Sequence, residues 1–294
     1  MKPEITCLVR AADMLGEVPL WCDRTRKLWW VDVMRPALQS YDPATGEHTA
    51  QFLGNGLQLG AIALREQGGF LLATNHGFYL FDPEQGGVLE LIGNPEADKP
   101  GNRMNDGRCD RAGRFWVGSM HDIRREPLGT LYRLDVDTGC QAMLGNIVVP
   151  NALAWSPDDK TMYFADTHLL VIWAFDYDID DGVISNQRVF KDWSHQAGRP
   201  DGTAVDAEGY LWNCMVGTGQ LVRMAPDGCV DRVIQTPVRN PTCPAFGGDD
   251  LSTLFFTSHT LRMTPQDSVQ EPLAGGLFAL TPGVSGLPEP RFRG

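Results

Sequence analysis

Four short segments of the chain resemble one another, and each carries an oxygen-bearing side chain at the same place. The corresponding residues are Glu17, Asn105, Asn151 and Asp201. Each segment leads, after a turn, into an aromatic-rich stretch that is typical of a β-strand. Carboxylate and carboxamide oxygens are the ligands that hard cations such as Ca²⁺, Mg²⁺ and Mn²⁺ prefer in proteins. A repeated fold that brings these residues together would form a divalent metal site.

The segments belong to a repeat of about 45 residues that occurs six times along the chain. In each repeat a turn containing Asp, Gly or Pro precedes an apolar strand, and a second strand with alternating apolar and polar residues follows. The first of these strands are predicted at 28–33, 69–74, 114–119, 161–166, 210–215 and 253–258. We expect residues 5–9 to complete the sixth repeat. The pattern predicts an all-β fold, a six-bladed β-propeller with four antiparallel strands per blade, spanning residues 1–294 as a single domain.

The innermost strand of each blade lines the central channel of a propeller, and its first residues lie at one mouth. The six residues predicted at that mouth are Glu17, Gln58, Asn105, Asn151, Asp201 and Thr242. A water-filled channel would also be lined by polar residues without binding a metal. Two carboxylates and two carboxamides favour a binding site, whereas Gln58 and Thr242 have no assigned role. Because no His or Cys occupies these positions, the usual zinc site with nitrogen and sulfur ligands is disfavoured.

The bulk composition excludes several classes of protein. Hydrophobic residues make up 43% of the chain, and 25 Lys and Arg stand against 37 Asp and Glu. The chain contains no basic tract of the kind that predicts nucleic-acid binding. It also has no apolar run long enough for a signal peptide or a bilayer crossing. The seven scattered cysteines form no C-x-x-C pair and are predicted to be reduced thiols. We therefore predict a soluble cytoplasmic protein, monomeric or weakly self-associating.

Four segments in order carry a resemblance to a known family. They are Leu15-Gly16-Glu17, Asn102-Arg103-Met104-Asn105-Asp106-Gly107, Pro150-Asn151-Ala152-Leu153-Ala154-Trp155-Ser156-Pro157-Asp158 and Arg199-Pro200-Asp201-Gly202. They resemble the signature segments of the family of regucalcin (senescence marker protein 30), gluconolactonase and luciferin-regenerating enzyme. The resemblance implies a six-bladed propeller with one divalent metal in the channel. It also implies hydrolysis of aldonolactones, the cyclic esters of sugar acids.

The resemblance also assigns roles to individual residues. Glu17, Asn151 and Asp201 match the family's metal ligands, and Arg103 and Asn105 match positions that contact the substrate. Asp201 is in addition the family's candidate general base. The implied cofactor is one divalent ion, Ca²⁺ in first place, with Zn²⁺, Mn²⁺ and Fe²⁺ as alternatives. The implied partner is a small sugar lactone, a pentonolactone or a hexonolactone.

The segment from His121 to Gly129 is expected to form a lid whose sequence varies within the family, so its contacts cannot be transferred. Its beginning, Met120-His121-Asp122, looks more like bacterial pentonolactonases than the vertebrate protein. His121 and Asp122 are candidates for contact with a sugar hydroxyl. Two other functions stay open: hydrolysis of organophosphates at the same metal site, and a non-catalytic calcium-binding scaffold. A serine hydrolase is disfavoured because the chain has no G-x-S-x-G segment.

Overall fold

The computed structural model describes residues 3–294, which are built almost entirely of β-strands. Within these residues, 24 strands form six four-stranded antiparallel sheets. The six-bladed β-propeller predicted from the repeats is confirmed, and each sheet is one blade. The chain divides into two compact units, Met1–Gly54 with Trp193–Pro288 and Asn55–Asp192 with Glu289–Gly294. The single domain expected over residues 1–294 stays a prediction.

The first unit contains three blades, numbered 1, 5 and 6 by their order along the chain. Blade 1 consists of β2 (Gly16–Cys22), β3 (Lys27–Asp32), β4 (Ala37–Tyr41) and β5 (His48–Phe52). Blade 5 consists of β18 (Arg199–Val205), β19 (Leu211–Val216), β20 (Gln220–Met224) and β21 (Val230–Gln235). Blade 6 consists of β22 (Pro241–Gly247), β23 (Thr253–Ser258), β24 (Leu277–Leu280) and β1 (Thr6–Val9). The amino-terminal strand thus completes the sixth sheet, as predicted, and a short helix α1 (Pro265–Gln270) precedes β24.

The second unit contains blades 2, 3 and 4. Blade 2 consists of β6 (Leu59–Leu64), β7 (Phe70–Thr74), β8 (Gly77–Phe81) and β9 (Glu90–Gly93), with a 3-10 turn (Pro83–Gln85) before β9. Blade 3 consists of β10 (Asn102–Cys109), β11 (Phe115–His121), β12 (Gly129–Asp135) and β13 (Gly139–Ile147). Blade 4 consists of β14 (Pro150–Trp155), β15 (Thr161–Asp166), β16 (Val171–Asp178) and β17 (Val183–Asp192).

Burial falls from the innermost to the outermost strand of a blade. All residues of β2, β6, β14 and β22 are buried, whereas all residues of β5 are exposed. The cores are dominated by large side chains such as Trp212 and Phe256 in the first unit and Trp116 and Phe164 in the second. Full burial of such a side chain stabilises the fold by about 1.5–3 kcal/mol. The innermost strands are therefore firmly held at the positions that carry the candidate residues.

Two aspartates hold the chain where it enters an innermost strand. The Asp32 carboxylate accepts hydrogen bonds from the backbone N–H groups of Met14 (2.9 Å) and Leu15 (3.2 Å). The Asp166 carboxylate likewise accepts from the backbone of Val148 (2.8 Å) and Val149 (3.1 Å). These bonds satisfy backbone groups that have no strand partner. They fix the segments that lead directly to Glu17 and Asn151.

All seven cysteines are free thiols, in agreement with the prediction. Cys140 and Cys229 are exposed, and the others are buried or partly buried. Within residues 3–294, no helix combines the length and the apolar character that a bilayer crossing needs.

Candidate metal and substrate site

Every innermost strand has an irregular register near its first residues. In β2, β14 and β18 the shift lies between Glu17 and Leu20, between Asn151 and Ala154, and between Pro200 and Thr203. In β6, β10 and β22 it lies between Leu59 and Ala61, between Met104 and Gly107, and between Pro241 and Pro244. An extra residue of this kind bends the strand and redirects the side chains around it. The four residues singled out from the repeats all lie at or within these irregular stretches.

The residues that follow two of the proposed ligands adopt a left-handed backbone. Val18 has φ of 47° and Ala152 has φ of 56°. A residue other than glycine in this conformation costs on the order of 1–3 kcal/mol, and such strain is kept where the surrounding structure enforces it. The strained residues come immediately after Glu17 and Asn151, so the unusual backbone lies next to both proposed ligands.

In the first unit, Glu17 and Asp201 are both buried, each 8% exposed. A Glu17 carboxylate oxygen accepts a hydrogen bond from the Val18 N–H at 3.3 Å. Burial raises the pKa of the Cys214 thiol well above its ordinary value, and the charges of Asp201 and Glu17 raise it further. The charges of both carboxylates therefore act on the same buried thiol.

Thr242 takes a structural role that the sequence did not reveal. Its side chain is fully buried, and its hydroxyl donates to the Gly16 carbonyl oxygen at 2.5 Å. The same hydroxyl lies 2.8 Å from that of Thr257. Thr242 thereby fastens β22 to the backbone immediately before Glu17 and so supports the candidate site.

In the second unit, three predicted site residues form one hydrogen-bonded chain. Arg103 Nη1 donates to Asn105 Oδ1 at 2.7 Å. Asn105 Nδ2 donates to Asn151 Oδ1 at 3.2 Å and to the Pro150 carbonyl at 2.8 Å. Asn151 Nδ2 in turn donates to Thr167 Oγ1 at 2.7 Å. Because each amide is held at both ends, its oxygen and nitrogen positions are defined.

Asp122, in the segment predicted as a lid, accepts a hydrogen bond from the first member of this hydrogen-bonded series, Arg103. Arg103 Nε donates to Asp122 Oδ1 at 2.7 Å, and Gln58 Nε2 donates to Asp122 Oδ2 at 3.0 Å. Burial alone would raise the pKa of the Asp122 carboxyl, but the hydrogen bond and charge of Arg103 hold that pKa below its ordinary value. Asp122 is therefore ionised at neutral pH and balances the charge of Arg103. Gln58 is thereby placed in the network too.

His121 has a different role from Asp122. Its Nδ1 accepts hydrogen bonds from the backbone N–H groups of Ile123 (3.3 Å) and Arg124 (3.1 Å). These bonds shape the turn of the lid. Contact between His121 and a sugar hydroxyl stays a prediction.

Glu96 supports the site in a way that nothing in its sequence neighbourhood indicates. It is 6% exposed and accepts hydrogen bonds from Ser119 (2.5 Å), Tyr132 (2.8 Å) and Asn102 (3.0 Å). Asn102 also donates to the Leu128 carbonyl at 3.3 Å. Glu96 and Asn102 thus tie the loop before β10 to the end of the lid. The partners come from separate strands, so only the tertiary fold reveals them.

Asp106 links two innermost strands next to the candidate residues. Its Oδ2 accepts a hydrogen bond from the Leu153 N–H at 3.0 Å. Burial raises the pKa of this carboxyl, whereas bonds from backbone N–H groups and the charge of Arg108 oppose that rise. Asp106 follows Asn105 and binds just beyond Asn151, so it sets the relative position of the two amides.

A sequence profile described as the SMP-30/gluconolactonase/LRE-like region matches residues 15–260. The chain belongs to this family. It is 37% identical over 295 residues, covering both chains fully, to 6-deoxy-6-sulfogluconolactonase of Pseudomonas putida. It is 32% identical to regucalcin of Xenopus laevis, with 99% of each chain covered. The solved structure of a calcium-binding protein, regucalcin, from Agrobacterium tumefaciens superimposes with a TM-score of 0.93 at 30% identity, covering 100% of this chain and 97% of that one. The resemblance stated from the four signature segments is confirmed.

The residues of this SMP-30/gluconolactonase chain fit the kind of ion that the family implies. Among residues 3–294, no three or more His, Cys, Asp and Glu side chains cluster as a metal site. Glu17 and Asp201 supply two negative charges and Asn151 a neutral oxygen, a donor set suited to a hard divalent cation. Glu17 and Asp201 belong to the first unit and Asn151 to the second, and their sharing one ion is a proposal.

A groove of about 430 Å³ in the first unit is lined by Trp21, Tyr41 and Phe255. Trp21 lies near the end of β2 and Glu17 near its start. The groove is therefore separate from the candidate site of this family.

Proposed function

We propose that this chain hydrolyses a sugar lactone to the corresponding aldonic acid with the help of one divalent ion. The observation that carries the proposal is the hydrogen-bonded chain of Arg103, Asn105 and Asn151 in a family member that matches a bacterial sugar lactonase over its full length. The proposed ligands of the ion are Glu17, Asn151 and Asp201, with Ca²⁺ in first place. The calcium-binding description of the Agrobacterium relative supports this choice.

The metal, when bound, would polarise the lactone carbonyl and lower the pKa of a coordinated water. Asp201 takes a proton from the attacking water, whose oxygen forms a bond to the carbonyl carbon. The bond between that carbon and the ring oxygen then breaks, and the ring oxygen receives the proton from Asp201. General-base help of this kind contributes about 10²–10⁴-fold to the rate. A cation held by the same carboxylate would reduce the basicity of Asp201.

Arg103 and Asn105 orient the substrate. Nε and Nη1 of Arg103 donate to Asp122, to the Met104 carbonyl and to Asn105, whereas Nη2 has no acceptor among residues 3–294. This nitrogen is the donor that the site offers to a lactone hydroxyl or ring oxygen. Because a held donor loses little freedom on binding, it contributes to orientation at small entropic cost.

The charge balance of the site supports a neutral polyhydroxylated lactone as the substrate. Asp122 already compensates the charge of Arg103 at 2.7 Å, so an added sulfonate or phosphate would have to compete with that carboxylate. The Pseudomonas relative is named for a 6-sulfonated gluconolactone. We propose that this chain prefers unsubstituted pentono- or hexonolactones over that compound.

The proposal is tested by a pH-indicator assay over a panel of aldonolactones, including the 6-sulfonated one. The protein is chelated, and Ca²⁺, Mn²⁺, Zn²⁺ and Fe²⁺ are restored in turn. We expect Asp201→Ala and Asn151→Ala to lower kcat/KM by at least about 10²-fold, with unchanged circular dichroism. Asp227→Ala, at an exposed turn of blade 5, is the matched control and should retain full activity. Full activity of either site variant would refute the assignment.

The same panel separates the two alternative functions. Turnover of a phosphotriester without lactone turnover would favour an organophosphate hydrolase. Metal binding without turnover of any lactone or phosphotriester would favour the calcium-binding scaffold. The cytoplasmic location and the monomeric or weakly associating state stay predictions from the sequence.

A further inference from the structure

A buried asparagine lies directly behind Asp201. Asn213, on β19, has no exposed surface, and its Nδ2 donates to the carbonyl oxygens of Asp201 at 2.8 Å and Gly202 at 3.1 Å. Both hydrogens of the amide are thus used by the backbone of two consecutive residues. This double donation also fixes which end of the amide is nitrogen, because an oxygen there would face two carbonyl oxygens.

The amide adds two side-chain hydrogen bonds at the point where the strand register shifts. The register pairs Pro200 with Met215 and Thr203 with Asn213, so Asp201 and Gly202 together oppose a single residue of β19. Loss of the amide would remove one hydrogen-bond donor from each of these two carbonyl oxygens, at a net cost of about 0.5–1.5 kcal/mol each. The irregular stretch that carries Asp201 is therefore held by a side chain.

Close packing against Cys243 also confines this stretch. A Cβ added to Gly202 would lie 2.4 Å from the Cys243 sulfur, far inside van der Waals contact. The backbone at Gly202 therefore has no room to move toward Cys243. The hydrogen bonds from Asn213 and the packing against Cys243 thus hold the backbone that carries Asp201.

Stability alone does not explain an asparagine at this position. Its Oδ1 is buried with no hydrogen-bond partner among the described residues. The residues that oppose the corresponding positions of β10 and β22 are Val117 and Phe256, both apolar and fully buried. An apolar residue therefore suits the same place in other blades and avoids an unsatisfied oxygen. In blade 5 the polar residue is retained beside Asp201.

We propose that Asn213 is a positioning residue that aims the Asp201 carboxylate at the metal and the attacking water. The inference rests on the proposed function for the role of Asp201, but the contacts that carry it are independent of any substrate. Partners that hold a ligand are typically worth about 10–100-fold in metal affinity or activity. Asn213 is such a partner, acting through the Asp201 main chain rather than through its carboxylate.

The test compares Asn213→Leu, which has nearly the same shape but no donor, with Thr203→Val as the matched control. The Thr203 hydroxyl donates to the Trp212 carbonyl at 2.8 Å in the same strand pair and is also buried, so its loss costs about 1 kcal/mol without releasing Asp201. Binding of Mn²⁺ to the chelated protein is measured by the electron paramagnetic resonance signal of the free ion. kcat and KM are measured on the lactone that the wild type turns over best.

We expect Asn213→Leu to weaken Mn²⁺ binding by about 10–100-fold and to lower kcat far more than it raises KM. Thr203→Val should keep the wild-type Mn²⁺ affinity and kinetics. If Asn213→Leu does not fold, Asn213→Ala takes its place, since water can enter the vacated volume and donate to the same carbonyls in part. We then expect Asn213→Ala to weaken Mn²⁺ binding and lower kcat in the same way, but by a smaller factor.

Wild-type Mn²⁺ affinity and kcat in a folded Asn213 variant would overturn the inference, and so would equal losses in the Thr203 control. The failure of the proposed function looks different. In that case the wild type turns over no lactone, while the Mn²⁺ measurement still reports whether Asn213 positions Asp201.

Discussion

The carboxyl of Asp13 makes the free energy of unfolding depend on pH in an unusual direction. Asp13 is 3% exposed and accepts hydrogen bonds from Trp30 Nε1 (2.9 Å) and Gln39 Nε2 (2.8 Å). Burial raises the pKa of this carboxyl from 3.8 to about 7; the two hydrogen bonds and Arg35 oppose the rise, and the charge of Asp32 adds to it. Between about pH 4 and pH 7 the folded chain therefore keeps a proton that the unfolded chain releases.

The free energy of unfolding accordingly falls as the pH rises through this window and levels off above it. Since one pKa unit corresponds to 1.36 kcal/mol, the rise from 3.8 to about 7 represents on the order of 4 kcal/mol. We expect Asp13→Asn, which is neutral at every pH, to remove this loss. The difference in unfolding free energy, variant minus wild type, should grow from pH 4 to pH 7 toward about 4 kcal/mol.

Urea unfolding, followed by tryptophan fluorescence at closely spaced pH values from 4 to 9, measures this difference. Asp227→Asn is the control of opposite sign, because hydrogen bonds from Cys229 lower the pKa of the exposed Asp227 carboxyl. Above pH 4, Asp227→Asn should therefore be less stable than the wild type, because the variant lacks the hydrogen-bonded carboxylate. A variant-minus-wild-type difference for Asp13→Asn that stays constant across the range would refute the reasoning.

Two further predictions concern the substrate side of the site. Arg103→Ala should lower kcat/KM on the preferred lactone by about 10–100-fold while Mn²⁺ still binds with wild-type affinity. Loss of Mn²⁺ binding in this variant would show that the assignment of Arg103 to substrate binding is wrong. Asp122→Asn leaves Arg103 without its counter-charge at 2.7 Å, so the ratio of kcat/KM for a 6-sulfonated lactone to that for the neutral lactone should rise by about tenfold, which is 1.4 kcal/mol of discrimination. An unchanged ratio in the same assay would contradict the proposed charge balance.

The fold could be predicted from the sequence because each repeat contains the turn residues and the strand pattern of one blade. Turn residues and period-two alternation define each strand pair locally, and six copies reinforce one another. The pairing of β1 with β24 was predictable for the same reason, since the sixth repeat lacked one strand. The register irregularities were not predictable, because alternation does not show where a strand holds one residue too many.

Of the candidate site, the sequence predicted the positions but not their connections. Arg103, Asn105 and Asn151 were singled out by motif, and the structure joins them by hydrogen bonds. The roles of Glu96 and Asn213 depend on partners that only the folded chain brings close. No local pattern distinguishes these residues from an ordinary turn carboxylate or an ordinary strand residue.

The irregular stretches at the start of the innermost strands are held by different side chains in different blades. Asn213 holds the stretch of β18 from within its own blade, whereas Asp106 and Thr242 each bond to the innermost strand of another blade. Where the support lies within one blade, as in blade 5, the side chains of that stretch can be substituted without disturbing the others. A library that varies Gln58 and keeps Thr242 would change the contacts of Asp122 while leaving the bond to the Gly16 carbonyl in place.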